Sequence, residues 1–431
     1  MRLRDSLSGE HREVEPGPDG VIGVYVCGPT IYDRIHVGNA RPVVVFLQMK
    51  RYLEWRGRPV HLVQNITDIN DKIYVAARAK GVRSDKLAAE MSRAFIEDTD
   101  RLGLGRPDDE PLASETIPEI VALIEELIAA GHAYEAGGDV YFAVRSFDRY
   151  GELSGQRPDE VESGARAEPG EHKRDPVDFA LWKATKDDED TWWPSPWGDG
   201  RPAWHIECSA MAEKLLGREF AVHGGGRDLI FPHHENEIAQ SCSIGRPFAQ
   251  IWAHNGLLRL AGEKMSKSEG NIDQVSDALD RWGAETLIMF MLQAHYASPV
   301  DYDDAALERA RTACETLRNR LRSGSGEDVA VREAVCEALD DDFATPRALA
   351  VLFRAPPEAR DTVAEVLGVL GLGSLAISEQ VPAEVEELAV ARDAARAERN
   401  FAESDRLREA IAELGWEVRD TAEGHDLVRR D

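Results

Sequence analysis

Lysine is scarce in this chain, and none follows Lys267, so its 51 basic residues are mostly arginine. Against 79 acidic residues they leave a net charge of −28. That balance argues against binding nucleic acid through a broad basic face, which needs many phosphate contacts, and leaves only local arginine clusters for the task. Two readings of the acidity stay open: a solvated surface that favours solubility, or adaptation to a high-salt cytoplasm in which self-repulsion is screened. Cysteine is rare too. Five in 431 residues, an odd number, make no disulfide framework and point to a reducing, cytoplasmic setting with metal-binding or structural thiols. No apolar run is long enough for a membrane span, and Met1–Ser8 lacks the apolar stretch of a secretory signal.

What is present has the order of a parallel α/β fold. Val21–Val26 reads as a strand ending at Cys27-Gly-Pro, Ala40–Trp55 as a helix closed by Gly57, and Pro59–Val63 as a second strand. Strand, helix and strand in this order make a right-handed parallel unit, whose ligands bind beyond the carboxyl ends of the strands. Cys27–Gly38 and Asn65–Asp71 fall at that edge. From Ser84 to about Asp199 the pattern changes: two helical stretches (Lys86–Leu102, Ile117–Ala130), a strand near Asp139–Val144 and a Gly/Glu-rich loop at Ser163–Glu171 read as an insertion. Trp192, Trp193 and Trp197 are expected to cap a small core. The second half resumes with a strand at Glu219–His223, a tight turn at Gly224–Gly226, a helix over Pro232–Ser241, and strands at Ile251–His254 and Leu257–Leu260. Helices at Gln274–Trp282 and Glu285–Ala294 follow. The chain is then helical to about Leu372 and again over Glu384–Leu414, and it ends in a hairpin-like arm from Gly415. The domains drawn from this pattern are 1–83 and 201–298 (two halves of a catalytic domain), 84–200 (the insertion), 299–375 (helical) and 376–431 (C-terminal).

Three segments carry chemistry. In the helix after Pro232, His233 and Glu237 stand at i and i+4 and share a face, whereas His234 is expected to point elsewhere. With Cys27 and Cys208 they make a tetrahedral zinc shell of two thiolates, an imidazole and a carboxylate, one ion per chain. His36-Val-Gly-Asn39 precedes the first helix, whose N-terminus offers free N–H groups and positive potential to phosphate; Gly38 permits close approach of a nucleotide. Lys264-Met-Ser-Lys-Ser268, between Gly262 and Gly270, suits a mobile clamp on phosphate oxygens through Lys264 and Lys267.

His36-Val-Gly-Asn39 and Lys264-Met-Ser-Lys-Ser268 resemble the two signature motifs of class I aminoacyl-tRNA synthetases. Tyr25–Asp33, Asn65–Lys72, Lys173–Trp182, Trp204–Met211, His223–Ser241 and Asp340–Pro346 resemble the cysteinyl-tRNA synthetase family, over nearly the whole chain. The resemblance implies a Rossmann-like parallel-sheet catalytic domain with an inserted connective domain, followed by a C-terminal α-helical domain that contacts the tRNA stem and anticodon. It implies zinc ligands at Cys27, Cys208, His233 and Glu237, the set also chosen above by geometry, with the substrate cysteine's sulfur coordinating the ion. Gly28, Thr67, Trp204 and Asp228 match positions lining the amino-acid pocket, Asp228 facing the α-ammonium. His36, Asn39, Lys264 and Lys267 match the ATP-handling catalytic positions, with Mg2+ accompanying ATP.

The expected reaction has two steps: the carboxylate of L-cysteine attacks the α-phosphorus of ATP, and the cysteinyl group then passes to the 3′-terminal ribose of tRNA(Cys). No protein nucleophile is needed, so catalysis rests on positioning and charge stabilisation. Apolar contacts separate near-isosteres such as cysteine and serine by only about 1–3 kcal/mol, whereas zinc favours a soft thiolate. A monomer is expected. A paralogous ligase passing activated cysteine to a small amine would share these motifs, as would, in part, a non-catalytic zinc protein that binds RNA. The tail from Arg392, similar to the family's anticodon-binding end, favours the first reading over the second, and the intact ATP motifs disfavour the third. Three departures from the family pattern stand out: Pro356-Pro357 where a longer helix pair is expected, Glu269 beside the phosphate clamp, and a tRNA footprint left to arginines such as Arg392, Arg396, Arg399 and Arg406.

Overall fold

The computed structural model describes residues 1–159, 172–260, 263–264, 272–377, 382–421 and 424–429. They divide into two compact units, Met1–Ala376 and Ile377–Asp431. Among the described residues no helix is long and apolar enough to cross a membrane.

The first unit opens with a short antiparallel pair, β1 (Arg2–Arg4) and β2 (His11–Glu13). β3 (Ile22–Val26), α1 (Val37–Trp55) and β4 (Val60–Gln64) then form the parallel unit, in register from Ile22↔Val60 to Val26↔Gln64. Both strands are covered on both faces, as parallel strands are. Val24, Val26 and Leu62 lie in the core that holds α1, and Tyr25 and Val63 lie in a second core. α1 begins at Val37, ahead of the Ala40 marked by the apolar pattern. His36 is its N-cap, and the Asn39 carboxamide oxygen accepts the His36 N–H at 3.3 Å. α2 (Asp71–Lys80) and α3 (Ser84–Asp100) follow, and Leu87, Met91 and Phe95 of α3 join the core of α1.

Next come α4 (Ile117–Ala129) and an antiparallel sheet of β5 (Ala133–Ala136), β6 (Asp139–Phe142), β7 (Phe179–Ala184) and β8 (Gly200–Pro202). Phe142, Phe179 and Trp182 carry its apolar face into the second core. Trp193 and Trp197 pack there as cap residues, but Trp192 does not: it is 51% exposed.

The chain returns to the central sheet through α5 (Trp204–Leu216), β9 (Glu219–Gly226), α6 (Glu235–Cys242) and β10 (Phe248–Asn255), giving a parallel sheet of order β10-β9-β3-β4. Two expectations change here. Gly224–Gly226 is no tight turn, because β9 runs through it and pairs with Ala253–Asn255. A Cβ on Gly224 would stand 2.3 Å from the Phe46 ring, so glycine here permits close strand-to-helix approach rather than reversal. The helix expected from Pro232 starts at Glu235. Phe231 is extended (φ −135°, ψ 131°), the conformation a following proline favours.

β11 (Leu258–Leu260) pairs antiparallel with β12 (Glu263–Lys264) and parallel with β13 (Val300–Asp301). α7 (Val275–Leu292) bends at Gly283, whose φ of 73° separates the two helical stretches read from sequence. α8 (Asp304–Arg320), α9 (Val329–Asp340), α10 (Thr345–Arg354) and α11 (Arg360–Val369) complete the unit, with Pro356-Pro357 between the last two.

The second unit is α12 (Ala383–Ala397), α13 (Phe401–Glu413) and a hairpin of β14 (Trp416–Thr421) with β15 (Gly424–Arg429). The pattern read as one helix is broken at Arg399, which takes φ 60°. Arg392, expected in a tRNA footprint, is instead buried, with its guanidinium 2.8 Å from Asp420, which Arg396 also contacts. Hydrogen bonds from Arg392 and then Arg396 hold the Asp420 carboxyl down to about 2. A carboxyl depressed in the folded state stabilises above its ordinary range and loses that contribution as pH falls through the folded value. Asp420→Asn should therefore destabilise this unit by about 1 kcal/mol at pH 7, a figure reduced for the partial exposure of the pair. The difference should shrink from about pH 5 downward and be largely gone by about pH 2. Pulse hydrogen exchange of the Trp416–Thr421 amides along urea titrations of the full chain reads this out; a difference as large at pH 2 as at pH 7 refutes it.

Candidate active site and metal centre

The ends of β3 and β4 are locked side by side. The Gly28 N–H donates to Asn65 Oδ1 at 2.9 Å, and the Asn65 carboxamide nitrogen donates to Thr67 Oγ1 at 3.1 Å. Thr30 and Thr67 form a parallel bridge just beyond. Cys27 leaves β3 here, and Cys208 on α5 comes to the same place, its Sγ 3.6 Å from Asn65 Oδ1. From below, α6 supplies Glu237, and the segment before it supplies His233. The donor atoms of Cys27, Cys208, His233 and Glu237 all lie within 4.8 Å of one another, and all four residues are buried. Glu237 Oε1 is 3.3 Å from Cys27 Sγ and 3.1 Å from His233 Nε2. The late start of α6 does not disturb this i, i+4 pairing, since His234 and Glu235 both keep right-handed helical dihedrals.

This donor set fits a metal ion. Burial pushes the Cys27 and Cys208 thiols and the Glu237 carboxyl above their usual ranges, and pushes the His233 imidazole well below its own. Left alone, the cluster is thus driven neutral, while His233 Nε2 and Glu237 Oε2 stay enclosed without an aligned hydrogen-bond partner. A dication would reverse that tendency and satisfy the orphaned atoms. Two thiols, one imidazole and one carboxylate suit zinc. The His233 ring is also positioned as a ligand: its Nδ1 sits 3.0 Å from His205 Nδ1, and Trp204 stacks on it with centroids 4.2 Å apart.

The other expected residues surround this centre unevenly. Thr67 is buried, Gly28 and Trp204 are half-buried, and Asp228 is exposed, its carboxylate folded over Gly226, where a Cβ would meet Oδ1 at 2.4 Å. His36, Gly38 and Asn39 stand at the first turn of α1, half-buried. The Val37 N–H donates to the Asp273 carbonyl at 2.9 Å and the Val275 N–H to the Ile35 carbonyl at 3.1 Å. The turn of α1 is thereby tied to the chain that follows the lysine-rich segment. The Lys264 backbone pairs with Arg259 in β12; Lys267 and Glu269 lie outside the described residues.

The pattern did not reveal a set of buried histidines. His223, paired with Tyr25 across β3 and β9, and His234 come close enough to Cys27 and Glu237 to form a second group of donors within 4.8 Å. His234, expected to point away, faces inward: it precedes Glu237 by three residues, a spacing that also shares a helix face. The available signal was period two along β9: Tyr25 and His223 occupy facing positions of neighbouring strands.

Comparison with known proteins agrees with this geometry. Residues 13–312 match the model of the tRNA synthetases class I (C) catalytic domain, and residues 334–367 match the DALR domain. Among solved structures, a Mycobacterium tuberculosis methionyl-tRNA synthetase in complex with methionyl-adenylate superposes with a TM-score of 0.62 at 16% identity, covering 81% of this chain and 90% of that one. A LeuRS ternary complex from Agrobacterium radiobacter does so with 0.59 at 12% identity, covering 85% and 86%. The fold is that of the class I aminoacyl-tRNA synthetases. Cysteine–tRNA ligase of Halorhodospira halophila is 47% identical over 454 aligned residues, spanning 98% of both chains, and that of Rubrobacter xylanophilus is 44% identical over 472, spanning all of both. The chain belongs to the cysteine–tRNA ligase family.

Proposed function

We propose that this ATP-dependent aminoacyl-tRNA ligase activates L-cysteine to cysteinyl-adenylate and transfers the cysteinyl group to tRNA(Cys), selecting its substrate at the Cys27/Cys208/His233/Glu237 centre. The observation that carries the proposal is the meeting of those four donors at the strand ends, beside Gly28, Thr67 and Trp204. A zinc ion bound there supplies a soft Lewis acid that favours a thiolate over a hydroxyl. Gly28, Thr67 and Trp204 shape the pocket for the amino acid, and the Asp228 carboxylate takes the α-ammonium. His36, Gly38 and Asn39 place the positive end of α1 against the phosphates of ATP and its Mg2+. Lys264 and Lys267 clamp the phosphates as charge builds on them. The division at 83, 200, 298 and 375 belongs to the same proposal, as does action by a cytoplasmic monomer.

The test is aminoacylation of purified tRNA with cysteine and with serine, before and after zinc chelation. Cysteine should be charged at least about 10³-fold more efficiently than serine, beyond what shape alone achieves, and chelation should abolish the charging. Comparable use of serine, or full charging by metal-free protein, would refute the proposed role of the centre.

A further inference from the structure

We infer that Cys27 and Glu237 serve two overlapping metal seats, the second completed by His223 and His234. The inference rests on the reading of the cluster as a metal centre. The donor atoms of Cys27, His223, His234 and Glu237 also lie within 4.8 Å of one another, and all four residues are buried. Glu237 straddles the two groups: Oε1 is 3.1 Å from His233 Nε2, and Oε2 is 3.2 Å from His223 Nε2. Cys27 straddles them as well, its Sγ lying 3.3 Å from Glu237 Oε1 and 3.4 Å from His223 Nε2.

Hydrogen bonding alone leaves this second group unsatisfied. Glu237 Oε2 and His234 Nε2 are enclosed without an aligned partner, a costly state for buried polar atoms. His234 is otherwise pinned: its Nδ1 is 2.8 Å from His254 Nε2, and His254 Nδ1 is 2.7 Å from Ser6 Oγ. A ring held through one nitrogen, with the other free and inward, is the arrangement of a metal-ligating histidine. His223 is set by strand register and by stacking on Tyr25 at 5.2 Å. The second group holds one thiol where the first holds two, so fewer anions face the ion in a medium that penalises uncompensated charge. Because two ligands are shared, one ion occupies one seat at a time. The second seat keeps the ion in the protein when Cys208 or His233 lets go.

Cobalt binding to the full chain tests this, with thiolate-to-cobalt absorption as the readout and circular dichroism as the check on folding. The parent protein should take up about one ion per chain. Cys208→Ala should still hold about one, with the thiolate band near half its parent intensity because one sulfur remains. Adding His223→Ala to Cys208→Ala should then remove the ion, while His223→Ala alone should keep the parent spectrum. Should Cys208→Ala fail to fold, His233→Ala serves as the lesion in the first seat, with metal again kept until His223 is also replaced. Loss of cobalt from the single first-seat variant overturns the inference, as does its retention in the double variant. A parent protein that binds no cobalt or zinc refutes the metal-centre reading itself.

Discussion

Cys27→Ala is expected to abolish metal binding and cysteine activation together while the chain still folds. Among the described residues, both groups of four donors contain Cys27, so its loss leaves each with three. If the free energy of a structural zinc site is shared among four ligands, losing one lowers affinity by about 10³-fold. The structural penalty is small by comparison: the side chain is short, and truncating it leaves a cavity of about one sulfur atom, worth about 1–2 kcal/mol. Zinc content by mass spectrometry and cysteine-dependent ATP–pyrophosphate exchange should fall in parallel, with the far-ultraviolet circular dichroism unchanged. A variant that keeps its zinc but loses exchange would instead make Cys27 a pocket-shaping residue. One that loses zinc and keeps exchange would remove the metal from substrate selection altogether.

The parts of this molecule legible in its sequence are those governed by local chemistry. The βαβ unit of β3, α1 and β4 could be read because apolar runs, Gly57 and the helix periodicity all act within a few residues. The i, i+4 relation of His233 and Glu237 could be read for the same reason, and Cys27 follows once strand ends are known to face the ligand, whereas Cys208 reaches the site from α5. What could not be read depends on contacts between distant segments. Gly224–Gly226 resembles a turn until Phe46, far away in α1, is seen pressing against the strand. Arg392 resembles a surface arginine until Asp420 folds over it from the hairpin. His234 was placed outward because it is one residue from His233, yet at i, i+3 it too shares a face with Glu237, and His223 of β9 meets it there with ring centroids 4.7 Å apart. Helix arithmetic allows Glu237 both an i−4 and an i−3 neighbour, and the strand packed against the helix decides that both are enclosed.

Gly28→Ala should be nearly as damaging as loss of Cys27, through a different route. An added Cβ would lie 1.6 Å from the Asn65 carbonyl oxygen and 2.7 Å from its carbon. Both are backbone atoms, so no flexible side chain can swing aside, and the ends of β3 and β4 must part by more than about an ångström before contact becomes tolerable. That movement breaks the Gly28 N–H to Asn65 bond and strains the pairing of Pro29 and Ile31 with Thr67. Cys27 moves with one strand and Thr67 with the other, so the part of the site that meets sulfur shifts against the part that meets the amino-acid backbone. A misplacement of this size costs about 10²-fold or more in rate, whereas overpacking at one position costs only about 1–3 kcal/mol of stability. The expected result is a folded protein in which kcat/KM for cysteine-dependent exchange falls by about 10²- to 10³-fold, with zinc content close to parent. Zinc survives because Cys27, α5 and the α6 segment supply the four donors and Asn65 supplies none, its contact with Cys208 Sγ being a long one at 3.6 Å. An unchanged kcat/KM would mean that the two strand ends separate without consequence, and that the amino acid is not held between them.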